Sequence, residues 1–334
     1  MIELNARAKV GKTNLSVPRL GVGTAPLGNM FRAHTDAEAD AVLASAVSHG
    51  LRYFDTAPLY GHGLSEQRVG RAVAGLPRDE VIVSTKVGRL LRADAPRDES
   101  QFHLGEPFYR DVPPVGPVFD FSYDGIMTSV EESYRRTGLD RFDVLLLHDP
   151  DDHLAAASTT GYRALAELRS SGTTRAIGAG MNHSPALARL VEACDLDILL
   201  VAGRYTLFDQ EAMDELLPLC EERTVSIVVG GVFNTGILID PSPGARYNYV
   251  PASPAELARA QRMKAICDRY DVPLPAAALQ FPFAHPRVCT VLLGFRSIDQ
   301  LEKNLEWLDV PIPTELWADL KHDGLLRADA PTPS

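Results

Sequence analysis

The chain is 334 residues long, 45% hydrophobic and 23% charged, an ordinary globular composition that excludes a disordered, collagen-like or small disulfide-bonded protein. Its 33 lysines and arginines stand against 44 aspartates and glutamates, and the formal charge of −11 repels nucleic-acid phosphate and anionic lipid. The expected partner is a small molecule, with neither nucleic acid nor membrane as a ligand. In chain order, strands are expected at Arg19 to Gly23, Leu51 to Asp55, Val81 to Lys86 and Asp143 to Leu147, followed by helical patterns at about residues 36–49, 65–74, 124–137 and 160–170. The second half repeats the alternation, with strands at Arg175 to Gly178, Asp197 to Ala202, Val225 to Val229 and Val288 to Leu293 and helices at about 185–193, 210–222, 254–270 and 298–308. Cap-type residues Asp36, Ser65, Asp124, Ser184 and Asp209 open several of these helices.

Length alone leaves room for two domains of roughly 150 residues each, but the alternation runs without a break. Eight strand–helix pairs predict an α/β fold of the (β/α)8 or TIM-barrel type, a single domain over residues 1–334. Two long connections interrupt the rhythm after the third and seventh strands. Residues 90–123 carry five prolines, and residues 239–253 are rich in proline and serine. Both belong on the C-terminal face, where barrel loops build active sites. Phe102, Phe108, Tyr109, Phe119 and Phe121 make the first connection too aromatic for a solvated linker.

The four cysteines, Cys194, Cys220, Cys267 and Cys289, form no CxxC pair and suit neither a zinc site nor a secreted disulfide framework, so no metal is expected. Met1-Ile2-Glu3-Leu4-Asn5 lacks the basic and apolar regions of a leader, and no stretch reaches the ~18 uninterrupted apolar residues of a membrane span. A cytoplasmic protein with reduced thiols is the expectation.

The chemistry concentrates at strand ends. The second expected strand ends in Asp55 and runs on to Tyr60, the third ends in Lys86, and the fourth is followed by His148. Taken singly, each has a structural reading: the acid caps a turn, the lysine reaches solvent, the histidine is a hydrogen-bonded structural residue. Together, on three consecutive strands of a barrel with one active face, they predict a catalytic site. Free tyrosine has a pKa of about 10, so a nearby Lys86 ammonium is expected to lower it, with Asp55 holding that ammonium in place. Tyr60 is then a general acid or base, and a neutral His148 orients a substrate oxygen. None of the four donates hydride, so a nicotinamide is required. The GxGxxG of a doubly wound sheet is absent, since Gly21-Val22-Gly23 continues as Thr24-Ala25-Pro26, and no GxxxxGK occurs.

These residues resemble the catalytic tetrad of the aldo-keto reductases, with Asp55 five positions before Tyr60, and the likeness extends through Gly21-Val22-Gly23-Thr24, Tyr60-Gly61, Ser84-Thr85-Lys86, Asn182 and Leu292-Leu293-Gly294. Thr85-Lys86-Val87-Gly88-Arg89, His148-Asp149-Pro150-Asp151 and Phe233-Asn234-Thr235-Gly236-Ile237-Leu238 are similar to the branch that contains bacterial aldose dehydrogenases of the D-threo-aldose (L-fucose) type and a pyridoxal 4-dehydrogenase. The resemblance implies an NAD(P)-dependent oxidoreductase that passes hydride between the nicotinamide and an aldose C1 hydroxyl, giving a lactone. Pyridoxal or another aldehyde or alcohol is the alternative substrate, and a nucleotide-binding regulatory barrel with little turnover is the alternative class.

The resemblance also implies a cofactor site. Gly23 and Thr24 approach the nicotinamide ribose, Asp55 borders the ring, Asn182 binds the carboxamide, Phe233, Asn234, Gly236 and Leu238 follow the ring and pyrophosphate, and Gly294, Arg296, Gln300 and Asn304 hold the adenosine end. Gln300 stands where many NADP-using relatives place arginine, and only Arg296 and Lys303 offer positive charge nearby, which favours NAD over NADP. Three positions depart from the family pattern: Met181 replaces serine, Ala202 replaces glutamine, and Asp149 replaces tryptophan beside His148. A carboxylate there suits polyol hydroxyls or is a turn residue before Pro150. The substrate-binding set expected is Tyr60, His148, Asp149, Arg204 and Tyr205, with Trp307 and Trp317 too far along the chain to stack.

Overall fold

The computed structural model describes residues 6–96, 101–103 and 105–333. Met1 to Asn5, the segment read for a leader, lies outside them, as do residues 97–100 and 104 of the first long connection. Eight parallel strands close into a barrel in chain order: β1 (Leu20–Gly23), β2 (Tyr53–Asp55), β3 (Ile82–Val87), β4 (Val144–His148), β5 (Ala176–Met181), β6 (Ile198–Ala202), β7 (Ser226–Gly230) and β8 (Val288–Leu293), with β8 beside β1. The strands read as near-continuous apolar runs because both of their faces are covered. Val144 and Leu146 of β4 point into the barrel with Tyr53, Ile82, Ala176, Ile198, Leu200 and Val228, whereas Leu145 and Leu147 face the helices.

A hairpin ahead of β1, Arg7–Lys9 paired with Ser16–Pro18, adds Val10, Leu15 and Val17 to the interior cluster and closes the N-terminal end. Asp143 and Asp197, expected as the first residues of their strands, sit just before them. Asp143 Oδ2 accepts the Val83 amide at 2.9 Å and Asp197 Oδ2 the Ile177 amide at 3.0 Å, so each carboxylate pins the neighbouring strand. The fifth strand runs three residues past the expected Gly178, because Gly178 and Gly180 weaken the strand signal yet suit the tight packing there. A Cβ at Gly178 would lie 1.6 Å from the Ile198 carbonyl oxygen.

Around the barrel run α1 (Asp36–Ser48), α2 (Leu64–Val73), α3 (Tyr123–Thr137), α4 (Tyr162–Ser170), α5 (Ser184–Ala193), α6 (Leu216–Arg223), α7 (Pro254–Arg269), α8 (Leu274–Gln280), α9 (Ile298–Leu308) and α10 (Thr314–His322). The expected caps Asp36, Ser65, Asp124 and Ser184 lie inside their helices instead. Thr35 caps α1 in a reciprocal box with Glu38, and Ser122 caps α3. Helix α8 escapes sequence reading because every residue in it is buried and no amphipathic period shows.

Both long connections are folded over the described residues. Arg89–Arg92 pairs with Gly116–Phe119, Phe102–His103 with Glu106–Pro107, and Arg246–Tyr247 with Val250–Pro251. They meet the loop after β1, where the Phe31 amide donates to the Phe108 carbonyl at 2.6 Å and the Phe31, Phe108 and Tyr249 rings lie 5.4–6.5 Å apart. Substituting Gly178→Ala is expected to lower stability by about 1–3 kcal/mol through steric overlap with β6. Gly75→Ala, with nothing within 4 Å of the new methyl, is the control, and equal melting temperatures for the two variants would contradict the packing.

Candidate active site

The C-terminal ends of β2, β3 and β4 bring an acid, an amine and an imidazole together. Ser84 and Lys86 share a face of β3 because side chains alternate along a strand, and both reach Asp55. Lys86 Nζ donates to Asp55 Oδ2 at 2.7 Å and to the Thr56 carbonyl at 3.0 Å, while Ser84 Oγ donates to Asp55 Oδ1 at 2.7 Å. Asp55 and Lys86 are each 2% exposed, so this pair is held out of water. Thr85, on the opposite face, donates to buried Glu66 at 2.7 Å.

Tyr60 stands on the turn that follows β2. Gly61 has φ of +64°, and Gly28 packs so closely that a Cβ there would lie 2.7 Å from the Tyr60 carbonyl carbon. Lys86 Nζ is 4.6 Å from the Tyr60 ring centre, and the His148 ring meets Tyr60 edge-on at 5.8 Å. The expectation that Lys86 lowers the phenol pKa is corrected by the structure. Burial, then Asp55, Asp149 and Tyr249, hold the phenol well above its ordinary value, and Arg89 is the cation that draws it down. Asp55 lies 2.7 Å from Lys86 and itself raises the phenol, so the ammonium acts on Tyr60 only with its counter-charge beside it. Tyr60 is therefore a protonated acid near neutral pH.

His148 is 4% exposed, and its Nδ1 has no hydrogen-bond partner. Burial, Arg89 and Lys86 push its pKa well below the ordinary histidine value, which keeps the ring neutral. Asp149 is a turn residue before Pro150, one of its two expected readings. Its backbone adopts the left-handed conformation, φ +42°, and its amide donates to the Gly180 carbonyl at 3.1 Å. Its carboxylate accepts from Arg89 Nη2 at 2.7 Å and lies 3.6 Å from His148 Nε2, beyond hydrogen-bond length. Arg89 is the site residue that sequence reasoning left unassigned. The available signal was Gly88, whose φ of +92° and lack of Cβ accommodate the Phe121 ring and turn the chain back over the mouth.

The other expected residues divide by what their polar atoms already do. Thr24 is fully buried, and its hydroxyl donates to the Asp55 carbonyl at 2.7 Å and meets Ser65 Oγ at 2.6 Å. Asn234 braces two loops, donating to the Gly203 carbonyl at 3.0 Å and accepting from Thr206 at 2.6 Å. Leu238 lies in the core, Asn304 is buried, and Phe233 packs edge-on against Trp307 at 5.8 Å. Gly23 is partly buried; Asn182, Gly236 and Gly294 remain open, Asn182 and Gly294 are exposed, and nothing lies within 4 Å of a Cβ at Gly236. Gln300 Oε1 accepts the Arg296 amide at 2.8 Å. Arg204 is a tie between loops, donating to the Asn182 carbonyl, Asp209 and Asn248. Tyr205 departs from its expected place in the site: it is fully buried in the outer core against Phe281 and His285, because it follows Gly203-Arg204 around the rim of β6. Trp317 is likewise in the core.

All four cysteines are free and buried, and burial raises Cys194 to about 11 and Cys220, Cys267 and Cys289 to about 12, which leaves them unreactive thiols. Among the described residues no cluster fits a metal ion, and no helix is long and apolar enough to cross a membrane.

A histidine held neutral by the fold takes up its proton more readily when unfolded, so stability falls as pH drops below the unfolded pKa of about 6.5. His148→Gln is expected to reduce the loss of stability between about pH 7 and about pH 5, measured by denaturant unfolding at each pH. An unchanged loss would contradict the buried neutral imidazole.

Comparison with known proteins agrees with this geometry. The model of the aldo/keto reductase family matches residues 19–322. The chain is 44% identical to D-threo-aldose 1-dehydrogenase of Pseudomonas sp. over 96% of each chain, and 38% identical to pyridoxal 4-dehydrogenase of Microbacterium luteolum over 97% of this chain and 99% of that one. Among solved structures, the aldo-keto reductase AKR11C1 from Bacillus halodurans in its holo form superposes with a TM-score of 0.73 at 27% identity, covering 97% of both chains. With its eight-stranded barrel and an acid, a phenol, an amine and an imidazole gathered at one mouth, the chain belongs to the aldo/keto reductase family and is an oxidoreductase.

Proposed function

We propose that the protein oxidises the anomeric hydroxyl of an aldose to a lactone, with NAD as the favoured acceptor. The observation that carries this reading is the polar mouth above the buried Asp55–Lys86 pair, where His148, Asp149 and Arg89 present hydrogen-bonding groups beside Tyr60. A site built on such groups suits a substrate with several hydroxyls.

The residues present also fit a nicotinamide dinucleotide. Arg296 is partly buried with its Nε unpartnered, and Arg32 and Arg246 lie close enough to depress its pKa. Among the described residues these three cations are paired with no carboxylate, an arrangement suited to a pyrophosphate. Gly236 and Gly294 leave room beside them. When bound, the oxidised nicotinamide would supply the hydride acceptor and a positive charge. Tyr60, once its own phenolic proton has passed to solvent, takes the proton of the C1 hydroxyl as a phenolate, and His148 donates to the same oxygen and orients it. Asp55 holds Lys86 beneath the ring, and Asp149 accepts from a neighbouring hydroxyl.

Two observations bear on the alternatives. Lys303, a candidate for a 2′-phosphate, is paired at the surface with Glu306 at 2.7 Å, whereas Arg32 and Arg246 join Arg296, so the lean to NAD rests on Gln300 standing where many NADP-using relatives place arginine. Tyr109 and Tyr249 sit close enough to Tyr60 and Asp149 to affect one another's ionisation, so an aromatic aldehyde such as pyridoxal is the second candidate.

The decisive experiment screens aldoses and pyridoxal for NADH formation. Sharp discrimination among C2, C3 and C4 epimers is expected, and Asp149→Ala flattens it. Higher kcat/KM for pyridoxal than for any aldose would overturn the sugar reading. Tyr60→Phe is expected to lower kcat by orders of magnitude with nucleotide affinity retained, and full activity in that variant would remove Tyr60 from the mechanism. Equal or higher kcat/KM with NADP than with NAD would reverse the cofactor preference.

A further inference from the structure

We propose that Arg89 is a positioning residue that keeps His148 a neutral hydrogen-bond donor, by binding the Asp149 carboxylate that would otherwise pair with a protonated imidazole. The inference rests on the reading of His148 as the group that orients the substrate oxygen. It deepens that reading by assigning a residue beyond the tetrad.

The geometry sets the problem. Asp149 Oδ2 stands 3.6 Å from His148 Nε2, within the range at which a carboxylate stabilises an imidazolium and makes the two titrate as a pair. A charged His148 is a poor partner here, because the cationic nicotinamide of the oxidised cofactor would face a second positive charge. Arg89 Nη2 lies 2.7 Å from the same Oδ2 atom, so the carboxylate already has a cation.

Counting charges shows why this decides the protonation of His148. The ionisable groups facing His148 are Lys86 from β3, Arg89 from the connection after β3, Tyr60 from the turn after β2, and Asp149 beside it. Asp55 pairs with Lys86, while Asp151 from the same loop and Tyr249 from the connection after β7 act on Asp149. With the tyrosines protonated, two cations balance two carboxylates, and a proton on His148 would leave a net charge in a buried site. Without Arg89 one cation faces two carboxylates, a net charge of minus one, and a proton on His148 restores neutrality. Burial and Arg89 acting together depress the His148 pKa, in the direction this count requires.

The structure also fixes Arg89 in this task. Its side chain is 8% exposed, its guanidinium stacks 4.5 Å over the Phe119 ring, and Gly88, at φ +92°, swings it over the mouth. A surface arginine free to leave would not hold Asp149 continuously.

The test is a proton NMR titration of the histidine rings in the full-length protein, with the His148 signal identified by its loss in His148→Gln. In the unsubstituted protein His148 is expected to stay neutral into the acid range. In Arg89→Met its midpoint moves up by about one pH unit or more, and kcat/KM with an aldose gains a limb that falls on the acid side of the new midpoint. Arg89→Met combined with Asp149→Asn returns the midpoint to the acid range, and Arg89→Lys, which keeps the charge, stays near the unsubstituted value. An unmoved midpoint in Arg89→Met, or a rise that persists when Asp149 is also replaced, overturns the proposal. If Arg89→Met fails to fold, Asp149→Asn alone decides, since it leaves Arg89 unpaired and a rise in the midpoint there is incompatible with the inference. The titration needs no substrate, so a predicted shift alongside failed aldose turnover would overturn the sugar reading and leave the role of Arg89 standing.

Discussion

A lysine and an aspartate that have left water together set the terms for everything at the barrel mouth. Lys86 and Asp55 are almost wholly enclosed, and such a pair persists only when its remaining donors and acceptors are satisfied. Ser84, the Thr56 carbonyl and the Asp55 carbonyl's own partner Thr24 supply those contacts. Removing one member of a buried pair generally costs about 3–5 kcal/mol, so the surrounding strands are tied to this charge arrangement as firmly as to their apolar packing. Burial, reinforced by Asp55, keeps Tyr60 a protonated phenol although an ammonium lies beneath its ring.

The barrel was legible because its constraint is periodic. Apolar runs such as Val144-Leu145-Leu146-Leu147 announce a strand covered on both faces, and β8 was read to the residue at Val288–Leu293. Boundaries slipped where side chains compete with backbone. Asp143 and Asp197 look like strand openers and instead bind the amides of neighbouring strands, and Gly178 and Gly180 conceal the length of β5. The closing hairpin of residues 7–18 and helix α8 carry no amphipathic signal, so only tertiary packing defines them.

The site was readable to the same degree. Asp55, Lys86 and His148 are polar residues at strand ends, a departure from pattern that linear sequence displays, and Tyr60 follows Asp55 by five positions. Arg89 was not, since its importance lies in a contact with Asp149 across 60 positions, made possible by a left-handed glycine. Tyr205 was misplaced for a related reason: one residue of phase around a loop turned it from the mouth to the outer core, where Phe281 and His285 cover it.

The short hairpin Arg246–Tyr247 and Val250–Pro251 has a consequence for how two ligands communicate. It carries Arg246, stacked 5.0 Å from Phe31 near Arg296, and two positions beyond the first of its strands it carries Tyr249, which faces Asp149. One turn thus borders both the cations proposed for the nucleotide and the groups proposed for the substrate. With the ligands placed as proposed, a displacement of that turn would alter both affinities, and linkage makes any such coupling reciprocal. A single turn of this rim is then the element through which dinucleotide and sugar would sense one another, without need of a second subunit or a distant effector.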